Sequence, residues 1–318
     1  MKVYRGLGAL PKNLAASALT IGNFDAVHRG HIALIGRVNL KSESEGAVPT
    51  LVTFDPHPQK VLHGQAPPAL VTAERKLELL KAAGIKRVLE IPFTKNLSMV
   101  EPEDFINLYL VQGLRARAVI VGTGFRFGRL ARGDVPMLRG FARTCGFAFE
   151  AVRLAETSGR RISSTAIRHA LAAGDLTWAN KALGRPHKLP GKIVKGAGRG
   201  RILGYPTANL KPHAGLLIPG PGVYAGRVVL GGRSIAAAIS IGTNPTFGAG
   251  PLSVEAFLID YTGDLYGRDV EFEFDGRIRD QVVFRGPDAL REAMAADVKI
   301  VRRHGKSSSG ATPTLPVS

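Results

Sequence analysis

Two histidines stand three residues apart in the segment TIGNFDAVHRGH, residues 20–31. His28 and His31 follow a strand-like run that ends near Gly22, so the pattern places them at a strand-to-helix corner. The N-terminus of a helix binds anions through its unpaired N–H groups and the positive end of its dipole. Two imidazoles on one face of the first turn can donate hydrogen bonds to one phosphoryl group. The spacing favours a phosphate over zinc, which usually takes histidines four apart and a third ligand, and over histidines that only fill space.

A glycine-rich segment, VKGAGRGRILGYPTANL at residues 194–210, is the second candidate phosphate site. Gly196, Gly198 and Gly200 make a backbone that can wrap a polyphosphate, although the Gly-Lys-Ser/Thr ending of a P-loop is absent. The glycines alone are equally typical of a surface turn. Thr207 and Asn209 would face the same side of a strand. Their hydroxyl and amide groups suit Mg²⁺, and the alternative is a capped turn.

Composition narrows the class of protein. The chain has 318 residues, with 45% hydrophobic and 21% charged residues, which predicts two ordinary globular domains. A net charge of +18 predicts attraction to polyanions such as nucleic acid, acidic lipid or phosphorylated metabolites, or only an aid to solubility. The single Cys145 excludes an internal disulfide and a two-cysteine zinc site. Since no export signal or long apolar run is seen, a cytoplasmic location is expected.

The first half of the chain alternates short apolar runs with helical patterns, which predicts a parallel, doubly wound sheet. In such sheets, ligands bind at the carboxyl ends of the strands, where the segments GNFDAVHRGH, TFDPHP and VGTGFRFG fall. The predicted strands are Ala18–Phe24, Val48–Phe54, Arg87–Pro92, Ala116–Gly122 and Phe147–Val152. The predicted helices are His31–Leu40, Ala73–Ala83, Pro102–Gln112 and Val135–Thr144.

The pattern changes in the second half. Two short helices, the first capped by Ser163 or Ser164, precede a domain boundary at Gly184–Gly191. Short strands with glycine turns, such as the Gly231-Gly232 hairpin signal, then predict a small antiparallel barrel closed by an amphipathic helix. The expected domains are residues 1–183 and 184–303. The Ser/Thr/Pro/Gly-rich tail, residues 304–318, is expected to be disordered.

Several motifs resemble a known family in their order. The segments GNFDAVHRGH, VTFDPHP, VGTGFRFG…RGD and ISSTAIRHAL, followed by PTANL, GVYAG and VEAFLID, are similar to bacterial bifunctional riboflavin kinase/FAD synthetases over about residues 15–303. The resemblance implies a Rossmann-like nucleotidyltransferase domain that transfers AMP from ATP to FMN. It also implies a Greek-key β-barrel domain with a C-terminal helix that phosphorylates riboflavin. ATP, riboflavin and FMN would be the small-molecule partners, FAD the final product and Mg²⁺ the cofactor, with no specific nucleic acid or membrane partner.

The resemblance also assigns residues in the nucleotidyltransferase half. An adenylate-binding loop and the two histidines would hold ATP, while hydroxyls and a guanidinium at a helix start would hold its β- and γ-phosphates. Two phenylalanines would pack against the flavin, or simply belong to the core. The residues are Gly22, Phe24, Asp25, His28, His31, His57, Ser163, Ser164, Thr165, Arg168, Phe125 and Phe127.

In the kinase half, the resemblance makes Glu255 the general base that takes the hydroxyl proton of riboflavin. Thr207 and Asn209 would handle Mg²⁺ and the ATP phosphates. Arg279 would contact flavin or nucleotide, or would be a solvated surface arginine.

Four positions depart from the family pattern. Ala26 replaces a glycine, and Gly124 replaces an Asp or Asn that could contact flavin. Gln281 and Val283 replace an acid and a lysine in the flavin-loop motif. Because of Ala26 and Gly124, a riboflavin kinase with a weakened or inactive nucleotidyltransferase domain is the first alternative, whereas Gln281 and Val283 bear on flavin affinity in the kinase half. A basic nucleic-acid-binding protein is the second, although no recognised nucleic-acid motif is present.

Overall fold

The computed structural model describes residues 1–153, 155–196, 200, 204–243 and 252–308, with no side-chain description for residues 304–308. Contacts between residues divide the chain into two compact units, Met1–Ser164 and Thr165–Ser318.

The first unit is built around a six-stranded parallel sheet with the strand order β1-β4-β3-β2-β5-β6. Two apolar clusters, one including Leu19 and the other including Ala18, pack the sheet and its helices. The parallel sheet expected from the alternating pattern is confirmed. Its strands are β1 Lys2–Arg5, β2 Ser17–Ile21, β3 Val48–Asp55, β4 Arg87–Pro92, β5 Ala116–Gly122 and β6 Ala148–Val152.

Six α-helices lie between these strands: α1 Arg29–Ser44, α2 Pro58–His63, α3 Ala73–Ala82, α4 Lys95–Ser98, α5 Pro102–Phe105 and α6 Val135–Cys145. The helix predicted over Pro102–Gln112 is divided, because α5 passes into a π-helix at Ile106–Gly113. A two-stranded ribbon, β7 Glu156–Thr157 with β8 Arg160–Arg161, completes the unit.

The strand order reverses at β2. From β2, the chain adds β3 and β4 on one side and then returns to place β5 on the other side. The carboxyl ends of β2 and β5 therefore flank the switch point, where open α/β sheets bind ligands.

The second unit begins with helices α7 Ser164–Ala172, whose first residue belongs to the first unit, and α8 Leu176–Leu183. A closed six-stranded barrel follows, with the order β10-β13-β12-β11-β14-β9. Because β14 returns to lie beside β11 of the β11–β12–β13 meander, the connection is a Greek key. The strands are β9 His187–Val194, β10 Ala208–Pro212, β11 Gly222–Leu230, β12 Arg233–Gly242, β13 Ser253–Leu258 and β14 Asp269–Arg279.

The hairpin signal at Gly231-Gly232 is confirmed. Leu230 pairs with Arg233 across the turn, and the two glycines have φ values of 53° and 82°. Two successive residues with positive φ match the twist of a two-residue hairpin, which is the reason this turn selects glycine.

Helix α8 packs on the barrel. The Asn180 side chain donates to the carbonyl oxygen of Phe274 at 2.8 Å and accepts from the His187 N–H at 2.9 Å. Contacts therefore group α8 with the barrel, whereas the sequence-based division at 183–184 assigns it to the first domain. Since β9 begins at His187, only residues 184–186 of the expected boundary segment lie outside a helix or strand.

Helix α9, Pro287–Ser308, closes the second unit. Residues 304–308 continue this helix, so the expectation of disorder from residue 304 is wrong for them. Extending an existing helix costs far less than nucleating one, which lets the helix run past Gly305. Residues 309–318 lie outside the described residues.

Two candidate active sites

The first candidate site is a cavity of about 170 Å³ near the switch point of the parallel sheet. The start of α1, the ends of β5 and β6, and the segment before α7 form its wall. His28, His31, Ser163 and Ser164, four of the predicted site residues, meet here. The lining is His28, Gly30, His31, Leu34, Gly122, Val152, Arg153, Ile162, Ser163 and Ser164.

His28 and His31 form one stacked unit at the start of α1. His28 is the N-cap residue, and its Nδ1 accepts the His31 N–H at 3.2 Å. The two rings stack with centroids 3.6 Å apart and planes 13° apart. Because Nδ1 accepts a hydrogen bond, a neutral His28 ring carries its proton on Nε2, which can donate to a phosphate.

The loop between β2 and α1 holds its shape through backbone conformation. The Phe24 ring is buried and lies with its centroid 4.4 Å from that of His31. Phe24 and Val27 have φ values of 48° and 44°, whereas Ala26 is not among the residues with positive φ in the described chain. Ala26 is fully buried and imposes no left-handed strain, so replacing glycine there does not weaken the loop in that way.

Three further predicted residues lie in or beside this loop. The His57 Nε2 atom lies 3.0 Å from the side-chain nitrogen of Asn23, while its Nδ1 caps α2 by accepting the Gln59 N–H. Asp25 accepts the Leu70 N–H at 3.4 Å. Gly22 donates its N–H to the Val52 carbonyl, and a side chain there would press on Phe24.

Lys76 of α3 supports the same loop, and sequence reasoning did not find it. Its Nζ donates to Thr53 Oγ1 at 2.9 Å, and that hydroxyl donates to the Asn23 carbonyl at 3.2 Å. Burial lowers the Lys76 pKa, while the carboxylates of Asp25, Glu90 and Asp55 oppose the shift. Its sequence signal, one lysine in an amphipathic helix, resembles an ordinary surface charge.

Other predicted residues lie outside this lining. Thr165 and Arg168 are in α7, on the part of that helix which belongs to the second unit. Arg153, which the sequence reasoning missed, lines the cavity directly after β6. Its only signal is its position after a predicted strand, at the edge where such sheets bind ligands.

Phe125 and Phe127 stack on each other with centroids 5.5 Å apart. Phe127 is 8% exposed and belongs to the core, and Phe125 packs partly buried against that core. The structure therefore favours core packing for Phe127. A side chain added at Gly124 would place its Cβ 3.4 Å from Nη2 of Arg161, an ordinary contact.

The second candidate site is centred on Glu255 in the barrel. Thr207 donates its hydroxyl hydrogen to Glu255 Oε2 at 2.9 Å. The one hydroxyl hydrogen of Ser253 is within reach of two acceptors, Glu255 Oε1 at 3.0 Å and the Gly242 carbonyl at 3.1 Å. Asn209 is the cross-strand partner of Glu255 between β10 and β13. The barrel thus brings together the three residues predicted for this site and adds Ser253, which sequence reasoning missed.

Glycines pack closely on these side chains. A Cβ at Gly196 would lie within 2.6 Å of three Asn209 side-chain atoms, so only glycine leaves room for that amide. The Gly200 carbonyl accepts the Tyr205 N–H at 2.8 Å, and a Cβ there would meet the Tyr205 carbonyl. Gly198 lies outside the described residues.

Arg279 is held in an ion pair and is not a solvated surface arginine. Its guanidinium contacts both carboxylate oxygens of the buried Asp297 on α9, with nitrogen–oxygen distances of 2.8–3.2 Å. It also lies over the ring of Phe284. This pair joins the end of β14 to α9.

Gln281 sits beside the site through Ser240, the cross-strand partner of Glu255 on β12. Its amide nitrogen donates to Ser240 Oγ at 2.8 Å and to the Ile241 carbonyl at 3.3 Å. An ionised acid, which the family pattern carries here, has no hydrogen to donate to a carbonyl. The substitution therefore has its own hydrogen-bonding role.

No group of three or more His, Cys, Asp or Glu side chains could hold a metal ion within the described residues. The Thr207 hydroxyl and the Asn209 amide offer hard oxygens instead, next to a carboxylate. Such a donor set fits Mg²⁺, which keeps several waters and takes further ligands from substrate phosphates. Among the helices described, none combines the length and apolar character needed to cross a membrane.

Comparison with known proteins identifies both halves of the chain. Residues 10–166 match the family described as FAD synthetase, and residues 183–304 match the family described as riboflavin kinase. A bifunctional riboflavin kinase/FMN adenylyltransferase of Pseudomonas fluorescens is 35% identical over 95% of this chain and 97% of its own length. The chain belongs to this bifunctional family. The relative of the same description from Escherichia coli K12 is also 35% identical, over 93% of this chain and 96% of its own length.

A solved structure from Streptococcus pneumoniae, described as a macrolide-efflux protein, is similar over 95% of this chain and 99% of its own, with a TM-score of 0.85 and 25% identity. As a member of this bifunctional family, the chain is an enzyme that makes FAD from riboflavin. It has a riboflavin kinase domain and an FMN adenylyltransferase domain. The expected family and function are confirmed, and both domains are present.

Proposed function

We propose that Glu255 is the general base of the riboflavin kinase reaction. The observation that carries this role is the hydroxyl of Thr207, which donates to one carboxylate oxygen, with the Ser253 hydroxyl in contact with the other. An alcohol is a weak nucleophile at neutral pH, so an oriented carboxylate that accepts its proton speeds attack on the γ-phosphate of ATP.

Thr207 and Asn209 would hold Mg²⁺ beside this base, and Gly196, Gly198 and Gly200 would form the backbone around the phosphates. Because the Thr207 hydrogen points to Glu255, the lone pairs of its oxygen stay available to a cation. When bound, Mg²⁺ neutralises charge on the phosphate oxygens. Arg279 would contact flavin or nucleotide only while its guanidinium stays paired with Asp297. Its most direct contribution would therefore be to position the end of β14 against α9.

The stacked histidines would serve the second reaction, in which a phosphate oxygen of FMN attacks the α-phosphorus of ATP and pyrophosphate leaves. His28 and His31 would donate to the phosphate at the reacting centre and stabilise its growing negative charge. The hydroxyls of Ser163 and Ser164 line the same cavity and would bind the departing phosphates. The resemblance gives Thr165 and Arg168 a phosphate-binding role, while Gly22, Phe24, Asp25, His57 and Phe125 would shape the adenylate and flavin pockets.

Reciprocal variants test these roles. Glu255→Gln should lower the rate of FMN formation from riboflavin by about 10²–10⁴-fold, because the general base is lost. The same variant should keep the wild-type rate of FAD formation from supplied FMN. His31→Ala should stop FAD formation while FMN accumulates. Glu271→Gln on β14 and His63→Ala on α2 are matched controls that should keep both reactions. Loss of both reactions in either test variant would mean that the residue is structural.

The cytoplasmic location, the lack of a specific nucleic-acid partner and the boundary at 183–184 stay predictions. Binding to single-stranded RNA that disappears at moderate salt would reflect only the net charge of +18.

A further inference from the structure

A second cavity opens at the other end of the parallel sheet. It measures about 360 Å³, and its lining includes Lys2, Tyr4, Asn13, Lys86 and Arg87. Lys2 and Arg87 begin the neighbouring strands β1 and β4 and pair in register. All strands of this sheet are parallel, so the cavity lies at their amino ends, away from the carboxyl ends that form the adenylyltransferase site.

Arg87 is the unusual member of this group. It is 7% exposed, and its Nη1 donates to the Ala15 carbonyl at 3.0 Å and to Ser17 Oγ at 2.8 Å. Within the described residues it has no ion pair with a carboxylate. A buried guanidinium stays charged and is costly to bury unless it is paired. The two hydrogen bonds fix its position but leave its charge without a counterion.

The remaining described lining residues add positive charge and bring no carboxylate that would compete with an anion for these cations. Lys2 and Lys86 are exposed at the rim, and within the described part of the chain the lining includes no aspartate or glutamate. Tyr4 and Asn13 add polar hydrogens near the three cations. A preoriented guanidinium with two exposed ammonium groups matches the geometry and charge of a phosphate.

We propose that this cavity is a binding site for a phosphate-bearing anion, separate from both active sites. The reactions of the enzyme supply two such anions, pyrophosphate and FMN, and inorganic phosphate shares their chemistry. A ligand here would contact β1, β4 and the segment 11–16 before β2, the strand that leads into the adenylate loop.

Hydrogen exchange in the full-length protein tests the site directly. Pyrophosphate should slow exchange in the segment 11–16, which forms one wall of the cavity, as well as at the active site. Lys2→Gln/Lys86→Gln should raise the pyrophosphate concentration for half-protection of this segment by about tenfold, because two charge-assisted contacts are lost. Both lysines are exposed, so this variant should fold, whereas replacement of buried Arg87 risks misfolding.

The control is Lys81→Gln/Lys95→Gln, which removes the same charge from exposed lysines of the same unit outside the cavity. It should keep wild-type protection, and both double variants should form FMN and FAD at wild-type rates. Equal protection by inorganic phosphate would show that one phosphate group suffices, whereas protection at lower FMN concentration would assign the flavin phosphate. No slowing in wild type, equal weakening in the control, or unchanged protection in the Lys2/Lys86 variant would overturn the proposal.

Discussion

The Thr207 hydroxyl lies 2.9 Å from Oε2 of Glu255 and donates its hydrogen to that carboxylate. One side chain thus links the two functions proposed for the barrel, since it orients the base and leaves its oxygen for a cation. Position 207 should therefore influence both metal binding and proton transfer.

Removal of this hydroxyl should change the metal dependence of the kinase. Thr207→Val should raise the Mg²⁺ concentration needed for FMN formation and lower the rate by about 10–100-fold. Thr207→Ser, which keeps the oxygen, should stay close to wild type. The measurement is FMN formation from riboflavin across a Mg²⁺ titration. A valine variant with the wild-type Mg²⁺ profile would contradict metal binding by Thr207.

Lys76 should affect only the adenylyltransferase reaction. Lys76→Met removes the donor to Thr53 that supports the Asn23 carbonyl, so FAD formation from FMN should fall by about tenfold. FMN formation from riboflavin serves as an internal measure of folding, and Lys81→Met in the same helix is the control. Lys76→Arg should recover part of the rate. An equal loss in both reactions would indicate general destabilisation instead of positioning.

Gly124 has room for the acid that the family pattern carries. Since its Cβ would lie 3.4 Å from Arg161 Nη2, Gly124→Asp should change the free energy of unfolding by no more than about 1 kcal/mol. It should keep or raise FAD formation. Gly133→Ala is the contrast, because its Cβ would lie 2.7 Å from the Phe127 ring, and it should destabilise by about 1–3 kcal/mol. Thermal unfolding by circular dichroism distinguishes them, and an aspartate as harmful as the alanine would refute the available space.

His187 should make the second unit less stable in acid. Burial lowers its pKa from 6.5 to about 4, although the contact with the Leu217 carbonyl opposes the shift. Between these two pKa values, the unfolded chain binds a proton that the folded chain does not. Stability is therefore full above pH 6.5 and falls by up to about 3 kcal/mol as the pH drops to 4.

Trp178, the single tryptophan, lies buried in α8 and reports unfolding of this unit by fluorescence. Urea unfolding between pH 4 and 7 should show a flatter pH dependence in His187→Gln than in wild type. His213→Gln, at an exposed histidine, should keep the wild-type slope. Equal slopes in all three proteins would exclude His187 as the source.

Much of the fold was predictable, because buried parallel strands and glycine hairpins leave strong local patterns. Strand β1 was missed because its four residues, KVYR, include two cations and show no long apolar run. The predicted end of β2 lies three residues beyond the observed end at Ile21, since Phe24 extends the apolar pattern while its backbone turns to φ 48°. Tertiary packing, not local composition, decides both positions.

The candidate sites were predictable where a motif brings its residues together within a few positions. The His28–His31 pair and the Thr207–Asn209 pair belong to this group. Sequence spacing does not indicate Lys76, because its partner Thr53 becomes visible only when strands and helices pack. Ion pairing of Arg279 with Asp297 on α9 likewise depends on contacts that sequence spacing does not record. Ser253 differs, since it stands two positions before Glu255 on the same strand, and that i, i+2 spacing is a signal that could have found it.

The closed barrel has a consequence for the behaviour of the chain at high concentration. A strand at the margin of an open sheet can pair with another molecule, whereas a closed barrel offers no free margin. Among the larger sheets described, the parallel sheet alone has such margins, at β1 and β6. The exposed cations Lys2 and Arg5, of which Arg5 pairs with Glu90 of β4, make β1 a poor template for intermolecular pairing. Self-association through added strands should therefore begin, if conditions force it, at β6.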